Sequence, residues 1–308
     1  MTIAVMPSTP IAIETPSRTD APSLSFDWAV TVFCGIFLGG IFLDGWAHTH
    51  GRVDATFFTP WHAVLYAAYL ATAALLVGAA AWRIRHGAPW RQALPDGYAL
   101  SLLGVACWVV GGPFDVVWHS VFGFEAGVEA LMSPAHTVLA LGFGLMASGP
   151  LRAALRRPPR AWIDELPMLL STGFTISNLT FFTQIAHPIS NLWGAGPIPP
   201  SPDAMELGLV SLMLTTVIVM APVLFLLRHG RLPAGAIVIL VALNSVAMGF
   251  VYDRGDYPLV AVLALVIAAM GMEALRVALR PVPGAPGRFR VFAFCMPVVL
   301  HMGYFVSL

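Results

Sequence analysis

The chain has 308 residues, of which 58% are hydrophobic and 10% charged, with 16 basic residues balanced by 16 acidic ones. A mean hydropathy of +0.79 excludes an ordinary soluble domain, and a net charge of zero without a basic stripe excludes nucleic acid as a partner. Such a chain belongs in the lipid bilayer, as an all-α polytopic transmembrane helix bundle.

Residues 1–26 are rich in Pro, Ser and Thr and lack both a basic n-region and a small-residue cleavage site. They read as a disordered cytoplasmic tail, not a signal peptide. Residues 27–308 then form a single transmembrane domain. Apolar stretches of spanning length recur at about 28–47, 60–82, 98–118, 134–150, 165–186, 203–227, 234–252, 258–279 and 290–307, which predicts nine spans.

Where the first span ends, Asp44 and His48 stand one helical turn apart, followed by Asp54 and by Thr59-Pro60-Trp61-His62 at the start of the second. The third and fourth spans carry the same set: Asp115 and His119, then Glu125, Glu129 and Ser133-Pro134-Ala135-His136. An Asp and a His at i, i+4 share one helix face, and [ST]-P-x-H supplies a cap, a Pro at the first helical position and an imidazole in the first turn. Residues 27–160 thus read as two polar hairpin repeats, 74 residues apart from Pro60 to Pro134. Residues 161–308 read as scaffold hairpins plus a terminal helix. Ser201-Pro202 keeps the cap, but Ala204 replaces the second His, and Val260 takes that place after Pro258. The expected architecture is four hairpins and a ninth helix, with the working site at the first two.

Every basic residue is Arg. Arg83, Arg85 and Arg91, then Arg152, Arg156, Arg157 and Arg160, then Arg228 and Arg231, and finally Arg276, Arg280, Arg288 and Arg290 occupy alternate loops. The positive-inside rule makes these loops cytoplasmic, leaving Arg52 and Arg254 outside. The N-terminus is then cytoplasmic, the C-terminus outside, and the Asp and His set faces outward. Trp46, Trp61, Trp118 and Trp193 form an aromatic belt at that face, beside a Pro-rich connection from Pro188 to Pro202. Cys34, Cys107 and Cys295 are scattered through apolar spans and read as packing residues.

Ionisable groups cost roughly 2.5 to 3.5 kcal/mol each near a bilayer centre, so their repeated use needs a function. Imidazoles and carboxylates are the ligand set of transition metals, and Asp44, His48 and His62, or Asp115, His119 and His136, would each give three ligands and an open position. The further carboxylates Asp54, Glu125 and Glu129 favour one shared, bridged centre, to which His187 and His301 lie at a depth to contribute. Two other readings use the same residues. A satisfied polar network would hold the hairpins together, and a proton or substrate path would make the chain a secondary transporter, against which the one-sided placement of the charges speaks. The chain has no Walker loop, G-x-S-x-G, H-E-x-x-H or C-x-x-C-H.

At D-G-W-A-H (44–48), T-P-W-H (59–62) and S-P-x-H (133–136) the chain resembles a group of uncharacterised bacterial multi-pass membrane proteins, over most of residues 40–160. The resemblance implies a bacterial inner-membrane location and no particular activity. More locally, Asp-x3-His followed by a more distant His is similar to the Asp-His-His copper site within the membrane part of particulate methane and ammonia monooxygenases. Asp44, His48 and His62 keep that spacing, while His119 and His136 are 17 residues apart against 14 for His48 and His62. The similarity implies copper as the preferred ion, with zinc or iron open to the same ligands, and metal handling or an oxidative membrane reaction as the function.

Overall fold

The computed structural model describes residues 23–52, 59–123, 129–190, 201–253 and 257–306. Among them no strand occurs, and the chain runs through α1 (Leu24–Thr49), α2 (Pro60–Arg85), α3 (Ala99–Phe122), the short α4 (Glu129–Met132), α5 (Pro134–Ala147), α6 (Gly149–Ala154), α7 (Leu166–Phe182), α8 (Pro202–Arg228), α9 (Ala236–Val251), α10 (Tyr257–Leu279) and α11 (Pro286–Val306). Among the described residues seven helical stretches are long and apolar enough to cross a membrane: α1, α2, α3, the α5–α6 run, α8, α10 and α11. The protein is an integral membrane helix bundle.

The stretches expected as the fifth and seventh spans are shorter. α7 has 17 residues and α9 has 16, about 25 Å of helix against a hydrocarbon core of about 30 Å. The cause is local. A 3-10 turn at Gln184–Ala186 and the pair His187-Pro188 end α7, since a residue before Pro avoids the helical region. Gly235, at φ +80°, sets the start of α9.

α1 also begins earlier than the tail boundary at residue 26. Ser23 caps it by accepting from the Phe26 backbone N–H, which draws Asp27 into the first turn, where it is buried.

α1 packs closely against α2, and α3 against α5. The pattern changes after α6. α7 packs chiefly on α9 and only lightly on α8, whereas α9 and α10 pair closely and α10 also joins α11, so close pairing of consecutive helices recurs at α9–α10 but not at α7–α8. Membrane helices gain little from hydrophobic burial against one another and rely on close backbone approach. Gly40 supplies it in the first hairpin, where a Cβ would stand 2.9 Å from the Leu65 Cα. Gly104 and Gly142 supply it in the second, each lying against the other's backbone carbonyl. Phe37 of α1 joins the two hairpins, edge-on to Trp108 of α3 at 4.6 Å and to Phe143 of α5 at 5.0 Å.

The polar end of these hairpins has an opposite pole. Tyr98 donates to Asp27 Oδ1 at 2.6 Å, and Arg157 Nη1 donates to Asp27 Oδ2. Arg231 in turn donates to the Arg157 carbonyl at 3.1 Å and grips both oxygens of Glu165 at 2.8 and 3.1 Å. Burial pushes the Arg231 pKa down, opposed by the Glu165 carboxylate. This buried chain ties the start of α1 to the α6–α7 and α8–α9 connections. Arg157 and Arg231, read from sequence as ordinary cytoplasmic loop charges, are core residues.

Candidate metal centre

The caps form as the sequence requires. Thr59 Oγ1 accepts from the His62 backbone N–H, and Ser133 Oγ from that of His136, both at 3.1 Å, with Pro60 and Pro134 opening α2 and α5. Each imidazole is thereby held in the first turn of its helix. Asp44 and His48 occupy the last turns of α1, and Asp115 and His119 those of α3, so close pairing within each hairpin decides which side chains meet across helices.

In the first hairpin the Nε2 atoms of His48 and His62 approach Asp44 at 3.7 and 3.4 Å. In the second, those of His119 and His136 approach Asp115 Oδ1 at 3.5 and 3.3 Å. The six residues form two groups, each offering three ligand atoms within 4.8 Å of one another. The coincidence of four separations between 3.3 and 3.7 Å has a physical meaning. An N–H···O hydrogen bond brings its atoms to about 2.7 to 3.2 Å, whereas ligands about 2.0 to 2.2 Å from one ion at tetrahedral angles lie about 3.3 to 3.6 Å apart. Moreover Asp115 Oδ1, although buried, accepts no hydrogen bond among the described residues. Such an oxygen is costly in a low-dielectric interior unless a cation meets it.

Compared with known proteins, the chain matches no protein-family model, no curated protein and no solved structure.

The two groups lie within electrostatic reach of one another. His48 lies within electrostatic reach of His119 and His136, and Tyr66 within reach of both Asp44 and Asp115. Tyr66 stands one turn after His62 on α2, its ring 6.2 Å from the His62 ring, and its hydroxyl is 3.5 Å from the place a Cβ on Gly112 would take. No motif in the sequence marks Tyr66 as part of the site. The i, i+4 spacing from His62, the same rule that pairs Asp44 with His48, is the one signal that points to it.

Of the other expected ligands, Asp54 and Glu125 lie outside the described residues, and Glu129 begins α4. His187 and His301 join neither group. Together with Asn244, Thr215 and Ser245 they line a separate cavity in the second half of the bundle, of about 20 Å³, room for about one water molecule. His301 Nε2 pairs there with Thr216 Oγ1 at 2.7 Å, and His187 Nδ1 accepts from the Ile189 backbone N–H at 3.2 Å. Burial pushes the His187 pKa down to about 3. The belt residues Trp46 and Trp61 meet edge-on at 6.1 Å, and Arg52 lies 5.1 Å over the Trp46 ring. Trp193 and most of the Pro188 to Pro202 connection fall outside the described residues. Cys34, Cys107 and Cys295 are unpaired.

Proposed function

We propose that this protein binds transition-metal ions at paired Asp-His-His sites at one end of its first two hairpins, and that it serves metal handling or a metal-dependent, oxidative membrane reaction. The observation that carries this reading is the convergence of three ligand atoms in each group, with carboxylate-to-imidazole separations of 3.3 to 3.7 Å, longer than ordinary hydrogen bonds and near the ligand spacing of a tetrahedral site. A polar network built only to staple helices would shorten these contacts into hydrogen bonds and would not leave Asp115 Oδ1 without one.

Copper is the preferred ion, following the spacing of Asp44, His48 and His62. Zinc and iron accept the same nitrogen and oxygen donors. Three protein ligands per ion leave a coordination position for a substrate or for ligand exchange, which both metal transfer and catalysis need. Helices α7 and α9 complete nine spans in this reading, shortened because they are enclosed by the others. The arginine-rich end faces the cytoplasm and the triads face outward, in a bacterial inner membrane.

The test is metal analysis of the full chain, purified from membranes in detergent without chelators. The wild type should carry copper, zinc or iron in at least equimolar amount, and the combined His62→Gln and His136→Gln variant should carry almost none while eluting at the same size. Equal metal content in both proteins would remove the reading.

A further inference from the structure

The two triads share their residue types and differ in their surroundings. In the first, the side chains of Asp44, His48 and His62 are 19%, 43% and 17% exposed. In the second, those of Asp115, His119 and His136 are 5%, 11% and 23% exposed. The carboxylate at the centre of the second is enclosed, with one oxygen that no described hydrogen bond satisfies; that at the centre of the first is partly exposed.

Resting on the metal-site reading, we propose that the two triads form an ordered pair. Asp115-His119-His136 is the tight, resident site, and Asp44-His48-His62 is a weaker, exchangeable site through which ions arrive and leave. Three physical effects act in the same direction. A cation meeting an enclosed, unsatisfied carboxylate gains more than one meeting a hydrated carboxylate, because water has already been removed from the first and screens the second. The imidazole of His119 is held between packed helices, so little rotamer freedom is lost on ligation, whereas His48, nearly half exposed, must be immobilised. Finally, the triads lie within electrostatic reach of one another, so an ion already in the enclosed site repels the next and lowers the affinity of the open one.

The exposed His48 also gives the first triad a ligand that can swing away into water. A three-ligand site that loses one ligand releases its ion far sooner than an enclosed one, and the vacated imidazole can accept the next ion from outside. Filling therefore proceeds from the more exposed triad to the enclosed one, with Tyr66 within electrostatic reach of both carboxylates.

Calorimetric titration of the full chain in nanodiscs with Cu²⁺ tests this, alongside His62→Gln and His136→Gln, which keep side-chain volume and a polar terminus. Binding elsewhere, at exposed His86 and His229, is common to all of them and is measured on the protein carrying both substitutions. Wild type should take up two equivalents beyond that background, the first at least about tenfold tighter than the second, the scale set by leaving a buried acceptor unsatisfied. His62→Gln should lose the weak step and keep the tight one. His136→Gln should lose the tight step and keep one weak equivalent. Two equal steps in wild type, or loss of the tight step in His62→Gln, would overturn the order while leaving the metal sites standing. Wild-type binding no greater than that of the doubly substituted protein would remove the metal-site reading itself.

Discussion

α1 carries a buried or half-buried carboxylate at each end, and the two are resolved in different ways. At its start, Asp27 is met by Tyr98 and Arg157 in hydrogen bonds, and the adjoining Arg231-Glu165 pair extends the chain of contacts. Roughly 26 Å away along the helix, Asp44 is met by two imidazole nitrogens at 3.4 and 3.7 Å, too far for hydrogen bonds. One end balances its charges within the protein. The other brings a carboxylate and two imidazoles together at longer separations. The contrast separates a carboxylate paired inside the fold from one at the proposed metal site, although the residue type is the same.

The sharpest way to break this comparison is to unbalance the closed end. Arg157→Met leaves Asp27 buried and uncompensated, and stability in a denaturant titration should fall by about 3 to 5 kcal/mol. Asp27→Asn combined with Arg157→Met should recover much of that loss, since removing both charges of a buried pair is far milder than removing one. A single variant as stable as wild type would show that the pair does not hold the fold.

The triads should respond to helix spacing as well as to charge. A Cβ at Gly142 would stand 2.6 Å from Trp108 and 2.9 Å from Cys107, so Gly142→Ala should cost about 1 to 3 kcal/mol by overpacking and should weaken the α3–α5 site. The matching Gly40→Ala, against the Leu65 backbone, should weaken the α1–α2 site. If binding affinities measured on both variants stayed at the wild-type value, close pairing of the hairpins would not be what sets the ligand geometry.

Asp44→Asn and Asp115→Asn keep the shape of each site and remove its charge. Metal affinity at the altered triad should drop by at least about 10- to 100-fold, with thermal stability in the metal-free state little changed or, for Asp115, raised by loss of an unsatisfied buried charge. The opposite pattern, lower stability with unchanged affinity, would mark the carboxylates as structural.

A pH-dependent effect, absent near neutral pH, separates the second half of the bundle from both ends. His187 is neutral in the folded protein, its pKa pushed down to about 3 by burial from an ordinary value of about 6.5. As pH falls through that interval the unfolded chain takes up the proton and the folded one does not, so stability declines, by up to about 1.4 kcal/mol per pH unit. His187→Asn, which cannot titrate, should flatten this part of the stability profile between about pH 6.5 and 3. An identical slope in the variant would assign the pH dependence elsewhere.

Much of the candidate site is legible in the sequence because it rests on local rules. Asp44 with His48, and Asp115 with His119, follow from the helical repeat. The orientation of His62 and His136 follows from a capping side chain three residues earlier and a Pro between. What local rules do not reach is the partnering of Asp27 with Arg157, 130 positions apart, or the placing of His187 and His301 beside a cavity of their own. The first helix starts before the boundary that composition suggests, because Ser23 gives a cap within a Pro- and Ser-rich stretch that has no apolar period. The shortening of α7 is hidden because an apolar stretch continues through the 3-10 turn without a change in composition.

By itself the sequence determined that the chain is a helical membrane protein, that polar groups collect at one end of its first hairpins, and which residues share a helix face. Composition and a fixed helical period suffice for these. Only the tertiary structure decided that the donors gather as two triads with carboxylate-to-imidazole separations of 3.3 to 3.7 Å, that the carboxylate of one triad is more deeply buried than that of the other, and that a buried ion-pair chain closes the far end. Those distances depend on how closely whole helices approach, which glycines at Gly40, Gly104 and Gly142 permit and which no spacing along one helix can fix.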